Sequence, residues 1–168
     1  IGDCNRISPE APVQVVEINK ENQVLGGAGN VINNIVSLGA NAGVLSVLGD
    51  DDTSLEIIKH IEILNVKHNI VFEENRKSSI KNRIIVEKHQ IIRFDKESKN
   101  NISKKSETEI ISSFKKIIKN YDIVVLSDYG KGVLTDVIIN NIIQISNLND
   151  KKVIVDPKGI NFKKYSGA

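Results

Sequence analysis

Two hydrophobic periods alternate along this chain. Apolar residues at every second position, or in short β-rich runs, predict strands over residues 13–18, 42–48, 122–126 and 152–156. The last three are apolar enough to sit in a buried parallel sheet. Between them the period changes to 3.6. Val31, Ile32, Ile35 and Leu38 form one stripe, with Asn30, Asn34, Ser37 and Asn41 opposite. A helix over about 106–119 turns Ile110, Ile111, Phe114, Ile117 and Ile118 inward. Another, capped by Thr135 or Asp136, buries Val137, Ile138, Ile142, Ile143 and Ile145. Thr53-Ser54-Leu55-Glu56 has the form of a capping box for a helix to about Leu64.

From residue 69 to 95 the pattern is β-like instead. The runs 70–72, 79–87 and 90–95 follow one another, the last two separated by a turn at Lys88-His89. Little helix lies nearby to cover both faces of the last two runs, so that pair predicts a small antiparallel sheet standing off the main body. Residues 1–11 read as irregular, with Pro9 and Pro12 stiffening a loop, residues 19–22 as a polar turn, and 96–105 as a charged connector. Strand–helix alternation with one inserted β segment predicts an α/β protein with a mostly parallel sheet.

Composition narrows the chemistry. The 23 basic and 21 acidic residues leave a formal net charge of +2, so neither nucleic acid nor an anionic membrane is favoured as a partner. No apolar run approaches the ~18 residues of a membrane span. The lone Cys4 has no CxxC or CxxH neighbourhood, and a reducing cytoplasm is the expected compartment. Neither end carries a start or stop feature, which predicts an internal fragment.

The densest chemistry lies at Gly26-Gly27-Ala28-Gly29-Asn30. Glycines permit positive φ and close backbone approach, and a helix opening there offers N–H groups and a positive dipole end to phosphate or sugar oxygens. Tight helix–strand packing alone would use the same glycines. A dinucleotide fingerprint would need a third glycine where Ile32 stands, and no GK[ST] follows for a Walker loop. Asp50-Asp51-Asp52 reads either as helix-start capping or as a metal site. His60, His68 and His89 are scattered, and there is no G-x-S-x-G elbow. A second polar loop, Ser127-Asp128-Tyr129-Gly130-Lys131-Gly132, follows a strand at the position where open α/β sheets bind ligands.

Several blocks occur in a familiar order. Arg6-Ile7-Ser8-Pro9-Glu10-Ala11-Pro12-Val13 precedes the Gly26–Val31 block and Ser37-Leu38-Gly39-Ala40. Asn82-Arg83, 90–95, 126–132 and Asp156-Pro157-Lys158-Gly159 follow. Together they resemble the ribokinase-like carbohydrate kinases over essentially the whole chain, and within them the heptose 7-phosphate kinases that form the kinase part of bifunctional ADP-heptose synthases. The resemblance implies a Rossmann-like sheet with a small inserted β lid, incomplete here at both ends. Lid strands would fall at about 12–24 and 75–96, and the core at about 25–72 and 104–168. It implies ATP and Mg2+ as cofactors and transfer to the anomeric hydroxyl of a heptose 7-phosphate. The product would be the 1,7-bisphosphate, a step toward the lipopolysaccharide core. It implies pairing of lids in a homodimer.

By the same resemblance Gly26 and Gly27 contact the sugar and Asn30 binds a sugar hydroxyl. Arg83 or Arg93 holds the substrate phosphate, and Asp128 and Lys131 face the crevice. Lys158 approaches the nucleotide, unless it is a plain surface lysine. The family's Gly-Ala-Gly-Asp segment, with its catalytic base, and its Thr-Pro-Asn segment do not occur here, which predicts no turnover by these 168 residues alone. Kinases of other sugar phosphates and a non-catalytic sugar-phosphate-binding or dimerisation module stay open as alternatives.

Overall fold

The computed structural model describes residues 1–168, the side chain of Asn5 apart. Eight strands occur in chain order: β1 (Gly2–Ile7), β2 (Gln14–Ile18), β3 (Gly43–Gly49), β4 (Lys67–Glu73), β5 (Ile80–Val86), β6 (His89–Lys96), β7 (Ile123–Ser127) and β8 (Lys152–Asp156). Four helices lie among them: α1 (Ala28–Ser37), α2 (Asp52–Ile63), α3 (Lys104–Ile117) and α4 (Asp136–Leu148). Short 3-10 turns follow at Ile118–Asn120 and Phe162–Tyr165. Among the described residues no helix is long and apolar enough to cross a membrane.

The chain divides into two compact units. One, residues 1–24 and 79–96, is a four-stranded sheet in the order β2-β1-β5-β6. The segment read as irregular is in fact strand β1, paired antiparallel with β2 and, at Gly2 and Val86, parallel with β5. Its sequence lacks alternation, and the hairpin partner supplies the order. β5 and β6 pair antiparallel through the two-residue turn Glu87-Lys88, so His89 belongs to the strand rather than to the turn. Lys81 faces Asp95 and Arg83 faces Arg93 across this pair, while Ile84 faces Ile92 and Asn82 faces Phe94. Directly opposed residues share a face, so one face is charged and the other mainly apolar. Ile92 and Phe94 remain half exposed.

The second unit, residues 25–78 and 97–168, is α/β. It contains two parallel pairs, β3–β4 and β7–β8. The run at 70–72 lies within the parallel strand β4. Val47, Val71, Leu126 and Val153 pack with Ile110, Phe114 and Ile118 and with Ile138, Ile139, Ile142 and Ile143 of α4 in one core. Val137, expected inward, is half exposed, and Ile139 takes the buried position. Ile32, Ile61 and Val66 form a second cluster, with Val36 packed against it. Leu38, expected in that stripe, is the α1 C-cap and is 87% exposed.

The caps explain shifted helix ends. Asp51, not Thr53, caps α2, accepting from the Ser54 N–H at 3.0 Å. Its other carboxylate oxygen accepts from the Ser78 N–H at 3.0 Å. The three aspartates therefore start a helix, and no group of three metal-ligating side chains occurs among the described residues. Ser103 caps α3, which begins two residues before the expected start, and Thr135 caps α4.

Candidate functional site

The site is assembled at the carboxyl ends of β7 and β8, which run side by side: the Asp128 N–H donates to the Asp156 carbonyl at 2.9 Å. The glycine block opens α1 beside them. Gly27 is the N-cap, at φ 54° and ψ −129°, a conformation that side-chain-bearing residues avoid. A Cβ at Gly27 would stand 3.7 Å from three ring atoms of Tyr129. Gly130, also at positive φ, lies under the Lys158 stem, whose Cγ would sit 3.3 Å from a Cβ there. Three loops from distant parts of the sequence thus meet: 26–30, 127–132 and 157–159. Two shallow hollows of about 450 and 540 Å³, one along α4 and the C-terminal turn and one along α3, contain none of these residues.

The first turn of α1 is tighter than a simple anion cradle. The Gly29 and Asn30 N–H groups donate back to the Gly26 and Gly27 carbonyls, each at 3.0 Å. Asn30 itself is exposed at the opening of the helix, as is Gly26. Tyr129 packs its ring against the glycine loop and is 41% exposed.

Asp128 is 6% exposed and fully engaged. One oxygen accepts from the Gly130 N–H at 2.7 Å; the other takes the Lys164 ammonium at 2.7 Å and the Tyr165 hydroxyl at 2.6 Å. Burial pushes its pKa up, but the hydrogen bonds and the Lys164 charge outweigh it and hold the carboxyl below the usual aspartate range. Burial lowers Lys164, and the same partners overcome that and raise it. The Tyr165 hydroxyl in turn accepts from the Lys158 N–H at 3.3 Å, tying the third loop to the latch.

Lys131 pairs with Glu97 at 2.6 Å. Its backbone carbonyl accepts from Arg76, whose guanidinium also reaches the Asn100 carbonyl at 3.2 Å and Glu73 at 3.3 Å. Neither Arg76 nor Lys164 carries a sequence mark of function, because the Lys131 carbonyl lies 55 residues from Arg76 and Asp128 lies 36 residues from Lys164.

Arg83 and Arg93 belong to the other unit, opposite each other on β5 and β6. Arg93 pairs with Asp95 at 3.2 Å. The Arg83 side chain is exposed and makes no hydrogen bond or ion pair among the described residues.

The profile of the pfkB family carbohydrate kinases matches residues 1–166, and the chain belongs to that family. It is 52% identical over 168 residues to the bifunctional protein HldE of Sulfurimonas denitrificans, and 50% identical to that of Aliarcobacter butzleri. In both cases 99% of this chain is covered but only 35% of the relative, so the chain spans about a third of the length of these proteins. Among solved structures, a phosphofructokinase described as putative from Staphylococcus aureus superimposes with TM-score 0.66 at 15% identity, over 98% of this chain and 51% of that one. Phosphofructokinase-2 from Escherichia coli in complex with fructose-6-phosphate gives 0.59 at 18% identity, over 97% and 52%. The shared fold is the ribokinase-like α/β arrangement.

Proposed function

We propose that this chain is the N-terminal portion of a kinase that phosphorylates a heptose 7-phosphate at its anomeric hydroxyl, giving the 1,7-bisphosphate for ADP-heptose and lipopolysaccharide core synthesis in the cytoplasm. The observation that carries the reading is the whole-chain identity to bifunctional HldE proteins, together with the junction of the three strand-end loops.

In this reading the 26–30 backbone and the Asn30 amide bind sugar hydroxyls against the Tyr129 ring. Arg83, with its guanidinium uncommitted, takes the 7-phosphate bidentately, and Arg93 on the same sheet face supports it. Lys131 offsets phosphate charge. Asp128 lines the crevice as the anchor of its floor, and Lys158 borders the nucleotide. The four-stranded sheet is the lid, and its half-exposed Ile92 and Phe94 provide an apolar face for pairing in a homodimer.

ATP with Mg2+ would supply the transferred phosphoryl group. No group of three metal-ligating side chains occurs among the described residues, and the Gly-Ala-Gly-Asp base segment does not occur in this sequence. Phosphoryl transfer needs those groups in place, so the 168 residues alone are expected to be inactive.

The test is a coupled ADP-release assay over a panel of sugar phosphates, on the chain extended to the length of its HldE relatives. Selective turnover of D-glycero-D-manno-heptose 7-phosphate supports the assignment. Turnover of another sugar phosphate alone discards the heptose, and silence from folded protein moves the weight to a non-catalytic binding module.

A further inference from the structure

We propose that Arg76 is a positioning residue for Lys131, acting through the main chain of the 127–132 loop. The inference rests on the reading above that Lys131 meets the substrate phosphate. Arg76 follows β4 in a turn where Asn75 takes positive φ, and its side chain is 7% exposed. A guanidinium this deep must satisfy its donors.

It does so by joining three segments that are remote in sequence. It pairs with Glu73 at the end of β4 and donates to the carbonyls of Asn100 in the connector and of Lys131 after β7. Glu73 is fixed on its other oxygen by the Ser103 N–H at 2.6 Å and the Ser106 hydroxyl at 3.0 Å, at the start of α3. Burial raises the Glu73 pKa, but these donors and the Arg76 charge lower it further, so the acid remains an anion beneath the guanidinium.

The clamp then closes around the loop. The Ile102 N–H donates to the Gly132 carbonyl at 3.0 Å, and a Cβ at Gly132 would overlap the Asn100 carbonyl. The Lys131 ammonium is held at its far end by Glu97 at 2.6 Å. Lys131 is thus fixed at its carbonyl by Arg76 and at its ammonium by Glu97. Of these two contacts the ammonium can exchange one oxyanion for another, whereas the carbonyl contact sets where the side chain starts.

Two measurements test this. In the 168-residue chain, hydrogen exchange of Arg76→Lys and Arg76→Ala should accelerate about tenfold across 100–103 and 129–132 while β3 and α4 stay at wild-type rates. No change in either variant, or uniform acceleration through the second unit, overturns the proposal. If Arg76→Ala does not fold, the milder Arg76→Lys decides by the same criterion. In the chain extended to the length of its relatives, Arg76→Lys should raise the KM for the sugar phosphate and leave that for ATP unchanged. Placed on Lys131→Ala it should add nothing further. Additive losses overturn the route through Lys131. Absence of turnover in the extended wild type would sink the kinase reading instead, with the exchange data still deciding whether Arg76 orders the loop.

Discussion

The Lys164 ammonium stands 2.7 Å from the Asp128 carboxylate across 36 residues of sequence, and the Tyr165 hydroxyl donates to the same oxygen at 2.6 Å. This latch closes the C-terminal turn onto the end of β7. Because Asp128 is buried, its charge is stabilised only while these donors are present. Asp128→Ala should lower unfolding stability by about 2 kcal/mol, and Tyr165→Phe, which removes one donor, by about 1 kcal/mol. Urea denaturation measures both. Equal, negligible losses would show that the latch is not holding the turn.

The same groups set a pH dependence. Asp128 and Glu73 both have folded pKa values below their ordinary ones. Their contribution is complete above the unfolded carboxylate values, about 4, and is lost as pH falls through the lower folded values. Lys164 is raised, so its contribution is complete below the unfolded value of about 10.4 and is lost as pH climbs through the folded one. Stability should therefore be level between, falling at both extremes. Asp128→Asn should flatten both slopes, as thermal melts across the pH range would reveal.

Gly27 and Gly132 should fail for different reasons. At Gly27 a Cβ has room beside Tyr129 but the backbone conformation is costly, so Gly27→Ala should cost roughly 1–3 kcal/mol. At Gly132 positive φ is joined by overlap with the Asn100 carbonyl, and the loss should be larger. Calorimetry of the two variants orders them; a larger loss at Gly27 would contradict the packing.

One face of the β7–β8 pair leaves Ile123, Val125 and Ile154 about 51%, 39% and 48% exposed. The isolated chain should self-associate through such surface as its concentration rises. Val125→Thr with Ile154→Thr should suppress that in light scattering, and unchanged association would locate the contact elsewhere.

Much of the body was legible in sequence because its elements are locally determined. The Ile-rich stripe of α4 and the apolar β8 both follow from period and turn chemistry. β1 was not legible, since Gly2-Asp3-Cys4-Asn5-Arg6-Ile7 has no alternation and owes its order to β2 and β5. At the site, Gly27 and the 127–132 loop stood out because glycine reports backbone geometry directly. Lys164 was silent because its partner Asp128 lies 36 residues away, and Arg76 and Glu73 because the Lys131 and Asn100 carbonyls and the Ser103 and Ser106 donors that engage their pair come from distant segments; a lone arginine or lysine reads the same on a surface.

The most direct measurement is phosphorus NMR of the product formed from ATP and D-glycero-D-manno-heptose 7-phosphate by the chain extended to the length of its relatives. The kinase reading predicts one new anomeric phosphate for each ADP, with the 7-phosphate intact. It also predicts that Asn30→Ala and Arg83→Ala lose most of kcat/KM. ADP release without an anomeric phosphate, or a new phosphate at any other carbon, would contradict it.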